Sequence, residues 1–313
     1  MRKSFRLFLV FCAVLAVGVV PVLATTQLTF ATGGTSGTYY PLGGGMAKLW
    51  NAKVAGVNVS VQATGASVEN IRLIAKKQVD LAYVQNDINH YAYNGIEIFK
   101  EKITDFAVIA ALYPEVVQVV VSADSKIKSV ADLRGKRVSV GAPGSGVEAN
   151  ARQILSIYKL DYTKITPLFL SFAESADQFK NGQCDAFFVV AGVPNSAIQD
   201  VAAQHKIRIL DFSNQILKKL ANEFKFFSSV TIPANTYKGQ TRPVKTVAVK
   251  ATLICRPDLD DELVYNLTKV LFENLGEVGH AKAGEISLKG AVVGVSTPFH
   301  PGALKYFKEM KIK

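Results

Sequence analysis

Three short runs of glycine, serine and threonine offer the most chemistry in this chain. They are Gly33-Gly34-Thr35-Ser36-Gly37-Thr38, Thr64-Gly65-Ala66-Ser67 and Pro143-Gly144-Ser145-Gly146-Val147. Each follows a run of strand character and precedes a stretch of helical spacing, so each reads as a strand end turning into a helix start. The first turn of a helix has unpaired N–H groups and a partial positive charge, and a small anion such as a carboxylate can be held there. Glycine lets a ligand come close to the backbone, while serine and threonine add hydroxyl donors. The competing readings are a phosphate cradle and a set of tight turns with no ligand.

The nucleotide reading fails on spacing. A phosphate loop of the GxxxxGK[ST] kind needs Lys and Ser/Thr after its last glycine, but Gly44 and Gly45 follow Gly43 here, and GxGxxG is absent. Ser36 lacks the GxSxG setting of a strained nucleophile. His90, His205, His280 and His300 stand in no catalytic pattern, and there is no HExxH or CxxC. No cofactor and no metal is expected. A triad assembled from distant positions, using Ser36 or Ser145 in an exported hydrolase, stays open as the alternative class.

The chain start fixes the compartment. Arg2, Lys3 and Arg6 precede an apolar run from Leu7 to Val20, and Val22-Leu23-Ala24 supplies small residues for cleavage. Residues 1–24 therefore read as a secretory signal peptide; the run is shorter than the roughly 20 residues of a spanning helix. Cys12 lies too early to be a lipid-attachment cysteine. The formal charge of +11 falls to about +8 once those three basic residues are removed. The remaining lysines are scattered, without an arginine-rich arm or a basic–aromatic stripe, so nucleic acid is not an expected partner. Cys184 and Cys255 sit in apolar runs; they read as buried small hydrophobes, although an exported location would also permit a bridge.

The elements that must position the three loops alternate. Strands are expected at Leu28–Thr32, Val57–Ala63, Leu81–Val84, Val108–Ala111, Val116–Val121, Val138–Gly141, Thr166–Leu170 and Ala186–Val190. Helices are expected at Tyr40–Ala52, Ser67–Lys77, Val147–Tyr158, Ala173–Lys180, Asp260–Asn274 and Pro301–Lys311. This is an α/β chain with mostly parallel sheets and flanking helices. The middle echoes the beginning: "GGTSGT" and "APGSGV" each join a strand to a helix, and "VQATGASVENIRLIAKKQVDLAYV" is loosely matched by "LFLSFAESADQFKNGQCDAFFVV". Two similar lobes follow, with hinge strands at Val116–Val121 outward and Ala248–Cys255 back. The lobes are expected at 25–118 with 250–313, and at 119–249. Ligands of open parallel sheets sit at the carboxyl ends of strands, where all three loops lie, two from one lobe and one from the other.

"GGTSGTYYPLGGGMAKLWN", "TGASVENIRLI", "DLAYVQND", "DLRGKRVSVGAPGSGVE", "AGVPNSAI", "ATLICRPDLDDELVYNLTKVLFEN" and "HPGALKYFKE" together resemble the TAXI family of extracytoplasmic solute receptors. These serve one class of tripartite ATP-independent periplasmic (TRAP) transporters. The resemblance spans Gln27 to about Lys311. It implies a two-lobed type II periplasmic-binding-protein fold and a monomeric periplasmic receptor. It further implies a small carboxylate ligand, glutamate-like or a dicarboxylate, and small and large membrane permease subunits, separate or fused, driven by an ion gradient. Carried onto this chain it places Thr35, Ser36, Gly37 and Tyr39 at the first loop, and Ala66, Ser67 and Asn70 at the second. It places Gln85 at a strand end, Gly144, Ser145, Gly146 and Val147 at the third loop, and Ala191, Gly192, Val193 and Pro194 at a cleft-facing turn. Val147 departs from the expected Thr and so lacks one hydroxyl. No arginine matches a carboxylate clamp, which leaves that role to backbone amides. Asp87 is expected to cap the next helix, Tyr40 and Trp50 to pack, and His300 to set the start of the last helix. Tyr113 either stacks on ligand or wedges the hinge. A sensory binding protein without a permease is a further alternative.

Overall fold

Alternating strands and helices fill the first third of the chain, as the periodicity requires. The computed structural model describes residues 25–312, and the leader expected at 1–24 lies outside the described residues. β1 (Thr26–Ala31), α1 (Tyr39–Lys53), β2 (Val57–Gln62), α2 (Ser67–Ala75), β3 (Leu81–Gln85) and α3 (Asn86–Asn94) come first. The long β4 (Ala107–Ser122) leads to β5 (Arg137–Ser139), α4 (Gly146–Ile157), β6 (Thr166–Leu168), α5 (Phe172–Lys180), β7 (Ala186–Ala191) and α6 (Ser196–Gln204). β8 (Ile207–Ile209), α7 (Asn214–Glu223) and β9 (Ser228–Ile232) follow; β10 (Val244–Cys255) then returns, and α8 (Asp261–Glu273) and α9 (Pro301–Glu309) close the chain.

The strands lie in the order β2-β1-β3-β10-β4-β7-β5-β6. Pairing is parallel within β2-β1-β3 and within β7-β5-β6, and antiparallel wherever β4 or β10 is involved. Those two strands belong to both halves. The start of β4 pairs with Thr252–Cys255 of β10, while Val116–Val121 pairs with β7. The result is a two-lobed α/β fold with two long strands passing between the lobes.

Two strands were expected around Pro114, and the structure has one. β4 runs through Tyr113-Pro114-Glu115, with Pro114 opposite Lys250 and a register shift between Lys250 and Thr252. Proline has no N–H to give to the ladder, and the shift absorbs the missing bond as a bulge does.

Each lobe covers both faces of its sheet, as parallel strands require. In the first, Leu42, Met46 and Trp50 of α1 pack with Phe30, Tyr83 and Leu267 on one face, and Ile71, Ile74 and Ile88 cover the other. Two further clusters, around Phe188 with Ile154 and around Phe187 with Ile198, do the same in the second lobe. The glycines inside α1 serve close approach. A Cβ on Gly43 would stand 2.8 Å from Thr32 Cγ2, and one on Gly45 would stand 2.1 Å from the Val278 carbonyl oxygen. The helix-propensity cost of about 1 kcal/mol per glycine is offset by this contact with β1 and with the segment before α9. Trp50 Nε1 donates to the Leu267 carbonyl at 2.9 Å, tying α1 to α8. Tyr40, expected to pack, is 36% exposed. Cys184 and Cys255 are free thiols buried in different lobes. The His300 side chain accepts from the Gly302 amide at 3.2 Å and so caps α9. Among the described residues no helix is long and apolar enough to cross a membrane.

A candidate ligand-binding cleft between the lobes

The three small-residue loops meet at one cavity of about 80 Å³. Gly33, Gly34, Gly37, Thr38 and Tyr39 line it from the first loop, and Thr64, Gly65, Ala66 and Ser67 from the second. Ala142, Ser145, Gly146 and Val147 line it from the third; Gln85, Glu115, Ser171, Phe172, Val190 and Ala191 complete the wall. Residues of both lobes therefore enclose the same space.

Local chemistry shapes each loop. Asn70 of α2 donates to the carbonyls of Thr32 and Tyr83 at 2.7 and 2.8 Å, and its Oδ1 accepts from Thr64 at 2.7 Å. One side chain thus pins two strand ends and the second loop together. Ala66 is held at φ 77°, a left-handed conformation costly for a residue with a Cβ. Its amide donates to Thr64 Oγ1 at 3.0 Å. Ser145 caps α4: its Oγ accepts from the Glu148 amide at 3.2 Å and donates to the Ala142 carbonyl at 2.7 Å. Tyr39, Ser67, Gly146 and Val147 stand in first turns at the cavity wall, and no acceptor among the described residues takes their amides.

The lobes also touch directly. The amides of Val68 and Glu69 donate to the Gly144 carbonyl at 3.0 and 3.1 Å. Asn195 Nδ2 and Ser196 Oγ donate to the Ser36 carbonyl at 3.1 and 2.9 Å, and the Gly192 amide donates to Thr38 Oγ1 at 3.1 Å. On the far side Asn150 Nδ2 donates to Asp87 Oδ2 at 2.7 Å, and Gln153 Nε2 donates to Tyr91 Oη at 2.9 Å. Gly146 presses so closely on the first lobe that a Cβ there would lie 1.8 Å from Gln85 Oε1.

Some expected residues have other tasks. Gly37, Tyr39, Ala66, Ser67, Gln85, Ser145, Gly146, Val147 and Ala191 line the cavity, whereas Thr35, Ser36, Gly144 and Pro194 do not. Thr35 is exposed; Ser36 and Gly144 give their carbonyls to the opposite lobe. Asp87 does not cap α3, because Gln85 occupies that position. It sits in the first turn instead and faces Asn150 across the lobes. Burial pushes its carboxyl up to about 6, against the Asn150 hydrogen bond.

Glu115 was not foreseen. It is 3% exposed, lies on β4 at the cavity wall, and accepts from Tyr39 Oη at 2.6 Å. Burial pushes its carboxyl up to about 8, with the Tyr39 bond opposing. The Tyr39 phenol is itself raised by burial and then by Glu115, and its ring stacks on Tyr83 at 4.9 Å. One signal was available: a lone acid within the apolar run AVIAALYPEVVQVVVS. No Lys, Arg or His lines the cavity, and no cluster of metal-ligating side chains occurs among the described residues.

Solved structures share the overall fold. The chain is similar to the alkanesulfonate-binding protein SsuA from Xanthomonas axonopodis pv. citri bound to MOPS, at 16% identity over 91% of this chain and 84% of that one, with a TM-score of 0.54. A protein from Bordetella bronchiseptica RB50 matches at 16% identity over 90% and 88%, with a TM-score of 0.57. A binding-protein component of an ABC phosphonate transporter from Pseudomonas aeruginosa matches at 13% identity over 84% and 80%, with a TM-score of 0.51. At these identities the likeness is one of fold, that of periplasmic solute-binding proteins. The family model described as the NMT1-like family matches residues 30–310, and the chain belongs to that family.

Proposed function

We propose that this chain is an exported, monomeric solute receptor that takes a small carboxylate between its lobes and hands it to the membrane subunits of a TRAP-type, ion-gradient-driven permease. One observation carries the reading: first-turn amides of both lobes, at Tyr39, Ser67, Gly146 and Val147, stand at the wall of the same cavity. Amides at helix starts favour an anion without a basic side chain, and none lines this cavity. The lobes are taken as 25–118 with 250–313, and 119–249, hinged at β4 and β10. Closure follows from the ligand's higher affinity for the closed arrangement. Charge-assisted bonds contribute about 1.5–3 kcal/mol each, so three or four, after ordering costs, suffice for micromolar binding. Ser145, the conceivable nucleophile of a hydrolase, spends its hydroxyl on capping α4.

The sequence resemblance favours a permease driven by an ion gradient over one driven by ATP. A thermal-shift screen of C4–C6 mono- and dicarboxylates and amino acids tests the ligand class; indifference to every acid overturns the reading. Uptake in proteoliposomes carrying the permease, under a sodium or proton gradient without ATP, tests the transporter class.

A further inference from the structure

Away from the amide-bearing helix starts, the cavity wall is mostly carbon. The second lobe contributes Ala142, Val147, Phe172, Val190 and Ala191 to it, and no Lys, Arg or His lines any part. The hydroxyls that could make the rest of the wall polar are committed within the protein. Ser145 donates to the Ala142 carbonyl at 2.7 Å, Thr64 donates to Asn70 Oδ1 at 2.7 Å, and Ser171 Oγ accepts from the Glu174 amide at 3.3 Å to cap α5. Thr38 Oγ1 accepts from the Gly192 amide at 3.1 Å. Ser67 belongs to the amide pole. Gln85 and Glu115 remain, and neither offers a charge. Gln85 sets its Oε1 against Gly146. Burial pushes the Glu115 carboxyl up to about 8, so it is neutral near pH 7, with Tyr39 Oη at 2.6 Å.

A ligand that sends one carboxylate to the helix starts meets this carbon wall with its other end. A second carboxylate there is buried without a counter-charge, and an ammonium without an anion; either is costly. An alkyl group displaces water from the same side chains, and each buried methylene strengthens binding about fourfold. Space sets the length. At about 10–15 Å³ for each water-sized group, the cavity of about 80 Å³ takes roughly five to eight non-hydrogen atoms. That is the size of butyrate or isovalerate, and glutamate exceeds it. We infer that this receptor selects monocarboxylates with a short, uncharged alkyl tail, the carboxylate on the first-turn amides and the tail against Val147, Phe172 and Val190, and that it rejects dicarboxylates and amino acids of the same length. The inference rests on the carboxylate reading above and narrows it. Val147, with a methyl in place of the hydroxyl of the expected Thr, suits the tail. Phe172 closes the tail end: it stands at the start of α5 in the second lobe, and a Cβ on Gly37 of the first lobe would lie 3.7 Å from its ring.

Calorimetry tests this with two matched pairs, butyrate against succinate and isovalerate against L-valine, and with the series acetate, propionate, butyrate, valerate and hexanoate. Butyrate and isovalerate should bind at least tenfold tighter than their partners. Affinity should climb about fourfold per methylene up to valerate and fall at hexanoate. Phe172→Ala should move that limit outward, so that hexanoate gains at least tenfold relative to butyrate. The wild-type pairs and series are decisive if that variant does not fold. Succinate or L-valine binding as well as its partner overturns this inference and leaves the carboxylate reading standing. An affinity that ignores tail length, or a folded Phe172→Ala with an unchanged limit, does the same. Binding of no acid of any kind overturns both.

Discussion

The buried Glu115 makes a signed prediction about stability. Its carboxyl titrates near 8 in the folded protein against an ordinary 4.5. A carboxyl raised on folding contributes stability that is complete below its unfolded value and is lost as pH climbs through its folded value. Between those values the native state holds about one proton more than the unfolded chain, and each pH unit removes about 1.4 kcal/mol. The lowered histidines His90, His280 and His300 act in the opposite sense, up to about a pH unit above their ordinary 6.5, and equally in wild type and variant. Asp87, raised to about 6, has largely finished titrating by then. Across pH 6.5 to 8 Glu115 by itself accounts for a loss of about 1.5 kcal/mol, and a comparison with a variant that lacks only this carboxyl isolates it. For a chain of this size that corresponds to roughly 2–3 °C in Tm. Glu115→Gln keeps the volume and an acceptor for Tyr39 while removing the proton. Thermal unfolding of both proteins, ligand-free, should show wild type losing about 2–3 °C relative to the variant as pH rises from 6.5 to 8. Parallel Tm-versus-pH curves would refute the assignment of a protonated carboxyl to that wall.

Two other perturbations test the contact between the lobes. Gly146→Ala sets a Cβ 1.8 Å from Gln85 Oε1 and 3.1 Å from Ser67 Oγ; ligand affinity should fall at least tenfold and small-angle scattering should show no contraction on adding ligand, while each lobe's core is untouched and the ligand-free Tm stays within a degree or two. Asn150→Ala removes the 2.7 Å bond to Asp87 and leaves a buried acceptor short by one donor, so calorimetry should show affinity lower by about tenfold to a hundredfold, the equivalent of about 1.5–3 kcal/mol; an unchanged affinity would mean that the Asp87–Asn150 bond does not belong to the closed state alone.

What could be read from the sequence and what could not divide along the range of the interactions. The three loops were legible because a strand end, a glycine and a helix start are neighbours in the chain, and so was the alternation that stacks them at one edge of a sheet. Which atom of each loop faces the cavity was not. Gly144 turns at φ 75° and aims its carbonyl at the start of α2 in the other lobe, so one residue expected at the ligand makes a contact between the lobes instead. Asp87 has the type and place of a helix cap, but burial against a partner 63 positions away set its role instead. Pro114 looked like the end of a strand because the ladder bond it cannot make is visible in one sequence, while the bulge that absorbs the loss sits on β10. Glu115 was hidden for a related reason. β4 is buried on both faces, so its residues show no alternation against which one acid stands out as misplaced. Its meaning comes from Tyr39 and Gln85, one from a helix start 76 positions earlier and the other from the end of a strand two places across the sheet. The amide-lined half of the cleft is thus local in origin and readable, and the acceptor half exists only once the sheet has assembled. By this division a homologous chain that keeps all three glycine loops but replaces Glu115 with an apolar residue should retain carboxylate binding. A chain of that kind that binds no carboxylate in a thermal-shift screen would show that the three loops do not suffice and that the acceptor half is part of the anion site.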